Sequence, residues 1–295
     1  MTTARAANDA ETRAPPRDRE AWTSFWADSV QSRCAAGAPG VWRSLVSHWT
    51  AFADTLPRGA RVLDLGCGAG AVGRLLLAAR GDLRVTGVDA ARVPGSTVRG
   101  MELKSETDME SLPFDDESFT AVVSQFGYEY SRTQVAAGEA ARVLAPGGLL
   151  SFLVHHSQSA IVGASRERLG AVTAFLAPTV RESFCAGDAP RLDAQLALLV
   201  ERYPEDDLVA QLARALPARL GWLAANRVST WETLEQALEP ERSVSDSLGE
   251  CCVAPSRIDE WLEPLRGACD LEPVAVLREP DGTPIAWHAA GSRGR

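Results

Sequence analysis

The spacing of apolar residues changes character several times along the chain. Trp22, Phe25 and Trp26, then Val41, Trp42, Leu45, Val46 and Trp49, recur at intervals of three and four, which places each set on one face of a helix. From Ala60 the pattern turns to short apolar runs. Arg61 to Leu65, Leu83 to Val88, Met101 to Glu106, Phe119 to Ser124 and Leu149 to Val154 read as successive strands. Helical segments fall between them, at Arg74 to Ala79 and at Arg132 to Leu144, the latter leading through Pro146-Gly147-Gly148 into the fifth strand. Strands alternating with helices predict a parallel sheet covered on both faces.

The rhythm breaks after His156. Ala171 to Leu176, Arg191 to Tyr203 and Glu205 to Ala225 read as helices, and Ser229-Thr230-Trp231-Glu232 has the spacing of a capping box that opens another. The α/β pattern resumes at Pro255. Ser256 to Asp259 again has capping-box spacing, ahead of a helix carrying Ile258, Trp261, Leu262 and Leu265. Leu271 to Leu277 and Ile285 to Ala290 read as strands joined by the turn Asp281-Gly282. The expected fold is a doubly wound, Rossmann-like α/β domain with a seven-stranded, mostly parallel sheet, a C-terminal antiparallel hairpin strand and a helical cap insertion. The expected organisation is a disordered tail over 1–20, an N-terminal helical lid over 21–57, a sheet domain from 58–156 and 255–292, and a helical insertion over 157–254 forming a substrate cap.

Composition narrows the function. The chain has 295 residues and a net charge of −9, which argues against a nucleic-acid partner, because such binders carry a basic stripe. No apolar run approaches the roughly 18 residues that span a bilayer, and the N-terminus lacks the apolar core of a secretory signal. A cytoplasmic protein without membrane contact is expected. The cysteines, including adjacent Cys251 and Cys252, show no zinc-knuckle spacing and read as reduced thiols. No metal site is expected, and the oligomeric state is left open.

Candidate chemistry centres on Val62-Leu63-Asp64-Leu65-Gly66-Cys67-Gly68-Ala69-Gly70. Glycines at a strand-to-helix turn let backbone approach a ligand, and the helix N-terminus beyond offers unpaired N–H groups. Asp89 ends the next strand, where an acid accepts hydrogen bonds from ribose hydroxyls. Gly68-x-Gly70-x-x-Gly73 also matches the NAD fingerprint, and an NAD-dependent oxidoreductase is the competing reading. The register opposes it: the loop begins at Gly66 directly after the strand and Asp64 precedes it, where a carboxylate repels a pyrophosphate and suits a cationic ligand.

Four motifs in order give a more specific likeness. Val62 to Gly70, Val85 to Asp89, Asp108 to Phe119 and Arg142 to Gly148 resemble the class I S-adenosylmethionine-dependent methyltransferases, over about 58–156 and 255–292. The resemblance implies S-adenosylmethionine as cofactor and methyl transfer to a small-molecule acceptor through an O, N or C nucleophile. A non-catalytic S-adenosylmethionine-binding scaffold is the non-enzyme alternative. By the resemblance, Asp64 and the backbone of Gly66 and Gly68 hold the methionine end, Asp89 binds the ribose, Asp108 and Met109 frame the adenine, Ser124 offers a backbone carbonyl to the ammonium with Gln125 and Phe126 beside it, and Cys67 and Ala90 also belong to the cofactor site. The chain departs from the family after Asp89, where Pro94 and Gly95 should stunt the usual helix.

An acceptor must approach in line with the S–CH3 bond, away from water. Residues following the fourth and fifth strands are placed for this: Glu129, His155 and His156 as candidate catalytic groups, Tyr128 and Tyr130 as substrate contacts. Adjacent residues on an extended segment point opposite ways, so at most one of His155 and His156 faces the site. Trp22 and Trp26, one helical turn apart, are candidate substrate contacts from the lid.

Overall fold

The computed structural model describes residues 19–28, 39–95, 98–219 and 225–294. Its centre is a sheet of strands β1 (Arg61–Leu65), β2 (Arg84–Val88), β3 (Met101–Lys104), β4 (Phe119–Gln125), β5 (Leu144–His155), β6 (Asp270–Leu271), β7 (Ala275–Arg278) and β8 (Pro284–Ser292), in the order β3-β2-β1-β4-β5-β8-β6 with β7 also pairing β8. β1 to β5 are parallel, and β8 runs antiparallel to β5 with Phe152 opposite Ala289. The strand expected over Leu271 to Leu277 is divided. Glu272, Pro273 and Val274 separate β6 from β7, and Pro273 has no N–H to give the ladder. The sheet therefore has eight strands rather than seven.

Helices cover both faces. On one, α2 (Pro39–Thr55) and α3 (Ala71–Ala79) pack Val41, Leu45, Trp49, Val72 and Leu76 against Val62, Val85 and Val123. On the other, α4 (Thr133–Val143) and α10 (Ile258–Ala268) pack Ala136, Ala140, Leu262 and Leu265 against Leu63, Leu65, Val122 and Phe152. The alternation of Val62, Leu63 and Leu65 between the two cores follows from the pleat. Residues 90–95 form no helix, and Val93 is instead tied to Ser105 through both its N–H and its carbonyl.

Between β5 and α10 lie α5 (Ala160–Phe175), α6 (Pro178–Ala186), α7 (Ala189–Arg202), α8 (Asp207–Arg219) and α9 (Arg227–Cys251), which enclose a core of their own around Phe175, Phe184, Leu192 and Trp231. Sequence periodicity passes over α6 and the first turns of α5. The two expected capping boxes do not form. Asn226 is the N-cap of α9, and Ser229 lies inside that helix with its hydroxyl donating to the Asn226 carbonyl. Residues Pro255–Arg257 form a short 3-10 turn, so α10 starts at Ile258.

The expected lid also divides. α2 belongs to the sheet domain. Its Leu45 and Trp49 are fully buried, and the Trp49 indole N–H donates to Gln125 Oε1 at 2.7 Å. Its His48 shares the hydroxyl of Ser151 with His288, at 3.4 and 3.0 Å. Burial, then the His288 ring, pushes the His48 pKa down to about 3. α1 (Arg19–Asp28) instead packs against α9 and the carboxyl edge of the sheet. Arg19 and Glu20, expected in the disordered tail, are its first turn; residues 1–18 lie outside the described residues.

Candidate functional site

β1 pairs β2 on one side and β4 on the other, so chain order reverses between β1 and β4. In such sheets a crevice opens beyond the strand ends at this point. The chain leaves β1 through Gly66, Gly68 and Gly70, with φ of 66°, 49° and 80°. A Cβ at Gly66 would stand 2.9 Å from the Cα of Gly127, so this turn needs glycine for closeness as well as for φ.

Asp89 closes the turn from the neighbouring strand. Its Oδ2 accepts from the Gly68 N–H at 2.8 Å and its Oδ1 from the Ala91 N–H at 2.9 Å. Each oxygen keeps a lone pair, and burial raises the Asp89 pKa. Asp64 stands behind the loop, 1 % exposed, with neither carboxylate oxygen hydrogen-bonded. Burial, and then the charge of Asp89, pushes its pKa up to about 8. A buried carboxyl without a partner suits a neighbouring cation, not a phosphate.

A cavity of about 720 Å³, counting its part open to solvent, lies over this edge. Its floor is Gly66, Asp89, Ala90, Ala91, Phe126 and Gly127, and Asp108 and Met109 enter after β3. α1 roofs it. Trp22 stacks with Trp26 at 6.2 Å and meets Tyr130 edge-on at 5.2 Å. The Trp26 ring occupies the space where a Cβ at Gly68 would point. Arg19 pairs with Asp108 at 3.0 Å, and Thr23 Oγ1 accepts from the Arg92 N–H. Ser247 of α9 completes the lining. Donors and acceptors at one end with flat aromatic walls fit a ribose-bearing, cationic nucleoside.

Residues 63–152 match a family model described as a methyltransferase domain. This segment is a methyltransferase domain. It is similar to the demethylmenaquinone methyltransferase of Thermus thermophilus, 37% identical over 101 residues, covering 32% of this chain and 46% of that one. It is also similar to the malonyl-[acyl-carrier protein] O-methyltransferase of Methylococcus capsulatus, 35% identical over 106 residues, covering 32% of this chain and 38% of that one. The chain thus spans less than half the length of these curated relatives. Among solved structures, the methyltransferase in the complex with the Haloferax volcanii Trm112 methyltransferase activator shares the fold, with a TM-score of 0.51 at 14% identity over 93% of this chain and 98% of that one.

The expected site residues separate into groups. Gly66, Asp89, Ala90, Asp108, Met109, Trp22, Trp26 and Tyr130 line the cavity together. Asp64, Cys67, Gly68, Ser124 and Gln125 stand behind its wall. Cys67 is buried, with its N–H on the Val88 carbonyl. The Ser124 hydroxyl donates to the Leu65 carbonyl and accepts from the Tyr128 N–H, joining the two strand ends at the switch point. The Gln125 side chain turns away to Trp49 on α2. Tyr128 is no cavity residue: it is buried against Phe152, and its hydroxyl donates to the Thr133 carbonyl.

The two histidines diverge, as alternation along a strand requires. His156 stacks on Trp287 at 4.5 Å, and its Nδ1 accepts from the Gln158 N–H, which places it away from the cavity. His155 stacks on Phe126 at 4.1 Å, and its Nδ1 meets Glu129 Oε1 at 2.8 Å; the same oxygen accepts the His155 backbone N–H at 2.9 Å. Phe126 adopts φ of 58°, a conformation unusual for a bulky residue, and stands between this pair and the cavity. Arg19, Ala91, Gly127, Ser131 and Ser247 line the cavity without having been expected. Ser247 comes from the far end of the insertion, and no local sequence signal announces such a long-range approach.

Proposed function

We propose that this chain is an S-adenosylmethionine-dependent methyltransferase acting on a small-molecule acceptor. The observation that carries the reading is the pairing of two buried acids at the switch point of a methyltransferase domain: Asp64 unpartnered, and Asp89 on the cavity lining with one backbone N–H on each oxygen. The cofactor supplies an activated methyl group on a sulfonium. Asp89 takes the ribose hydroxyls, Asp108 and Met109 hold the adenine, and Asp64 balances the cationic end. The relatives' names join methyl transfer to two different acceptors, a demethylmenaquinone and a malonyl-[acyl-carrier protein], so the transfer carries over and the acceptor does not.

The chain's own groups then exclude water and set access. α1 acts as a lid, with Trp22 and Trp26 over the cavity and Arg19 latched to Asp108. The helices over 157–254 act as a cap, reaching the site through Ser247. Titration calorimetry tests the cofactor reading: S-adenosylmethionine binds, NAD does not, and Asp89→Ala weakens binding by about 1.5–3 kcal/mol, the range for hydrogen bonds to a charged group. Binding of NAD alone overturns it.

A further inference from the structure

We infer that Arg19 and the adenine amino group of the cofactor compete for one oxygen of Asp108, which makes Arg19 an internal competitor that hastens exchange of the spent cofactor. This deepens the reading above and rests on it. Asp108 Oδ1 accepts the Glu110 N–H at 3.0 Å, and Oδ2 accepts from the Arg19 guanidinium at 3.0 Å. Arg19 and Asp108 both line the cavity, so their ion pair lies on the wall that a nucleoside meets. A guanidinium and an adenine amino group are both N–H donors, and a carboxylate oxygen is the acceptor each needs. The guanidinium already stands at that oxygen.

Arg19 is placed to let go without moving the helix. It is the first residue of α1, and its side chain is 53 % exposed, against 25 % for Asp108. The rest of α1 is seated by other contacts. Thr23 Oγ1 accepts the Arg92 N–H at 3.0 Å, Trp22 meets Tyr130 edge-on, and the Trp26 ring packs on the backbone of Gly68. When Arg19 turns to solvent, the two tryptophans therefore keep their place over the cavity.

The strength of the ion pair suits exchange. A pair this exposed is worth about fivefold in an equilibrium constant, too little to bar loading. A tethered donor, however, returns to its acceptor at a high effective concentration. Whenever the amino group of the spent cofactor lifts from Oδ2, Arg19 takes its place, and rebinding of the adenine is opposed. Product release limits turnover in many enzymes, so a competitor built into the first turn of the lid acts at a step that matters.

The experiment compares S-adenosylhomocysteine, the spent cofactor, with its 6-deamino analogue, which has hydrogen in place of the adenine amino group. Calorimetry gives affinity and stopped-flow gives the dissociation rate. Arg19→Ala should bind S-adenosylhomocysteine about fivefold more tightly than the parent, mainly through slower dissociation. The 6-deamino analogue, with nothing to place on Oδ2, should bind both proteins alike. The parent alone gives a second readout, which needs no variant. Its preference for S-adenosylhomocysteine over the analogue should grow about threefold between about 0.05 and about 0.5 M salt, as screening weakens the ion pair. Equal or weaker binding of S-adenosylhomocysteine by Arg19→Ala, an equal gain for both ligands, or a parent preference that stays constant or falls with salt overturns the inference. Failure of both proteins to bind S-adenosylhomocysteine overturns the cofactor reading instead.

Discussion

α1 and α2 carry the same kind of sequence, an aromatic stripe at helical spacing, yet the fold uses them differently. α2 buries Val41, Leu45, Trp49 and Ala53 completely against the sheet. Among the described residues of α1 only Ala21 is buried, and none completely; Trp22 and Trp26 are half-buried over the cavity, with Phe25 half-buried beside them. An aromatic stripe announces a helix that seeks a surface. It does not say whether that surface is the permanent core or a site that opens.

The comparison breaks most readily at Trp49. Trp49→Ala should cost about 3–5 kcal/mol, the range for emptying a fully buried aromatic site, and also orphan Gln125. Denaturant unfolding measures it. An effect below about 1 kcal/mol would put α2 in the same class as α1.

A smaller effect comes from His48 on the same helix. The folded chain keeps it neutral down to about pH 3, whereas the ordinary value is 6.5. Its contribution is therefore complete above pH 6.5 and is lost as pH falls through the window below, by up to about 1.4 kcal/mol per unit. His48→Gln removes that slope. The variant's stability relative to the parent should improve steadily between pH 6.5 and 4.5; parallel curves would show that the imidazole is not held neutral.

For α1 the stability effect should be the smallest, and activity should carry the signal. Trp26→Ala should cost about 1 kcal/mol, since a half-buried ring loses only part of its buried area. Turnover should fall about tenfold, or about 1.4 kcal/mol of barrier. Stability and turnover falling in the reverse proportion would make α1 a structural helix like α2.

Much of this was legible in the sequence because it is local. The strands, the glycine turn and the acids at the ends of β1 and β2 follow from periodicity and from what a strand-to-helix turn demands of its residues. The cavity's far wall was not legible. Arg19 reaches Asp108 across 89 positions, and Ser247 arrives from the last turns of α9. Position after the fourth strand makes Tyr128, Glu129 and Tyr130 all candidates for the site, but the short 3-10 turn there sends Tyr128 into the core, Glu129 against His155 and Tyr130 to the cavity. The capping boxes at Ser229 and Ser256 failed because side-chain spacing does not choose between a cap and a position one turn along.

Asp64 gives the domain a store of one exchangeable hydrogen ion. With its pKa near 8 it is largely protonated at neutrality. Under the function proposed above, a sulfonium or ammonium settling nearby should reverse that preference, so that the carboxyl ionises and its hydrogen ion passes to the buffer. Loading then becomes an exchange of cations, in which the net charge taken into the domain is less than the ligand brings. Heats of binding should differ between Tris and phosphate in proportion to the buffers' ionisation enthalpies, and Asp64→Asn should make them coincide.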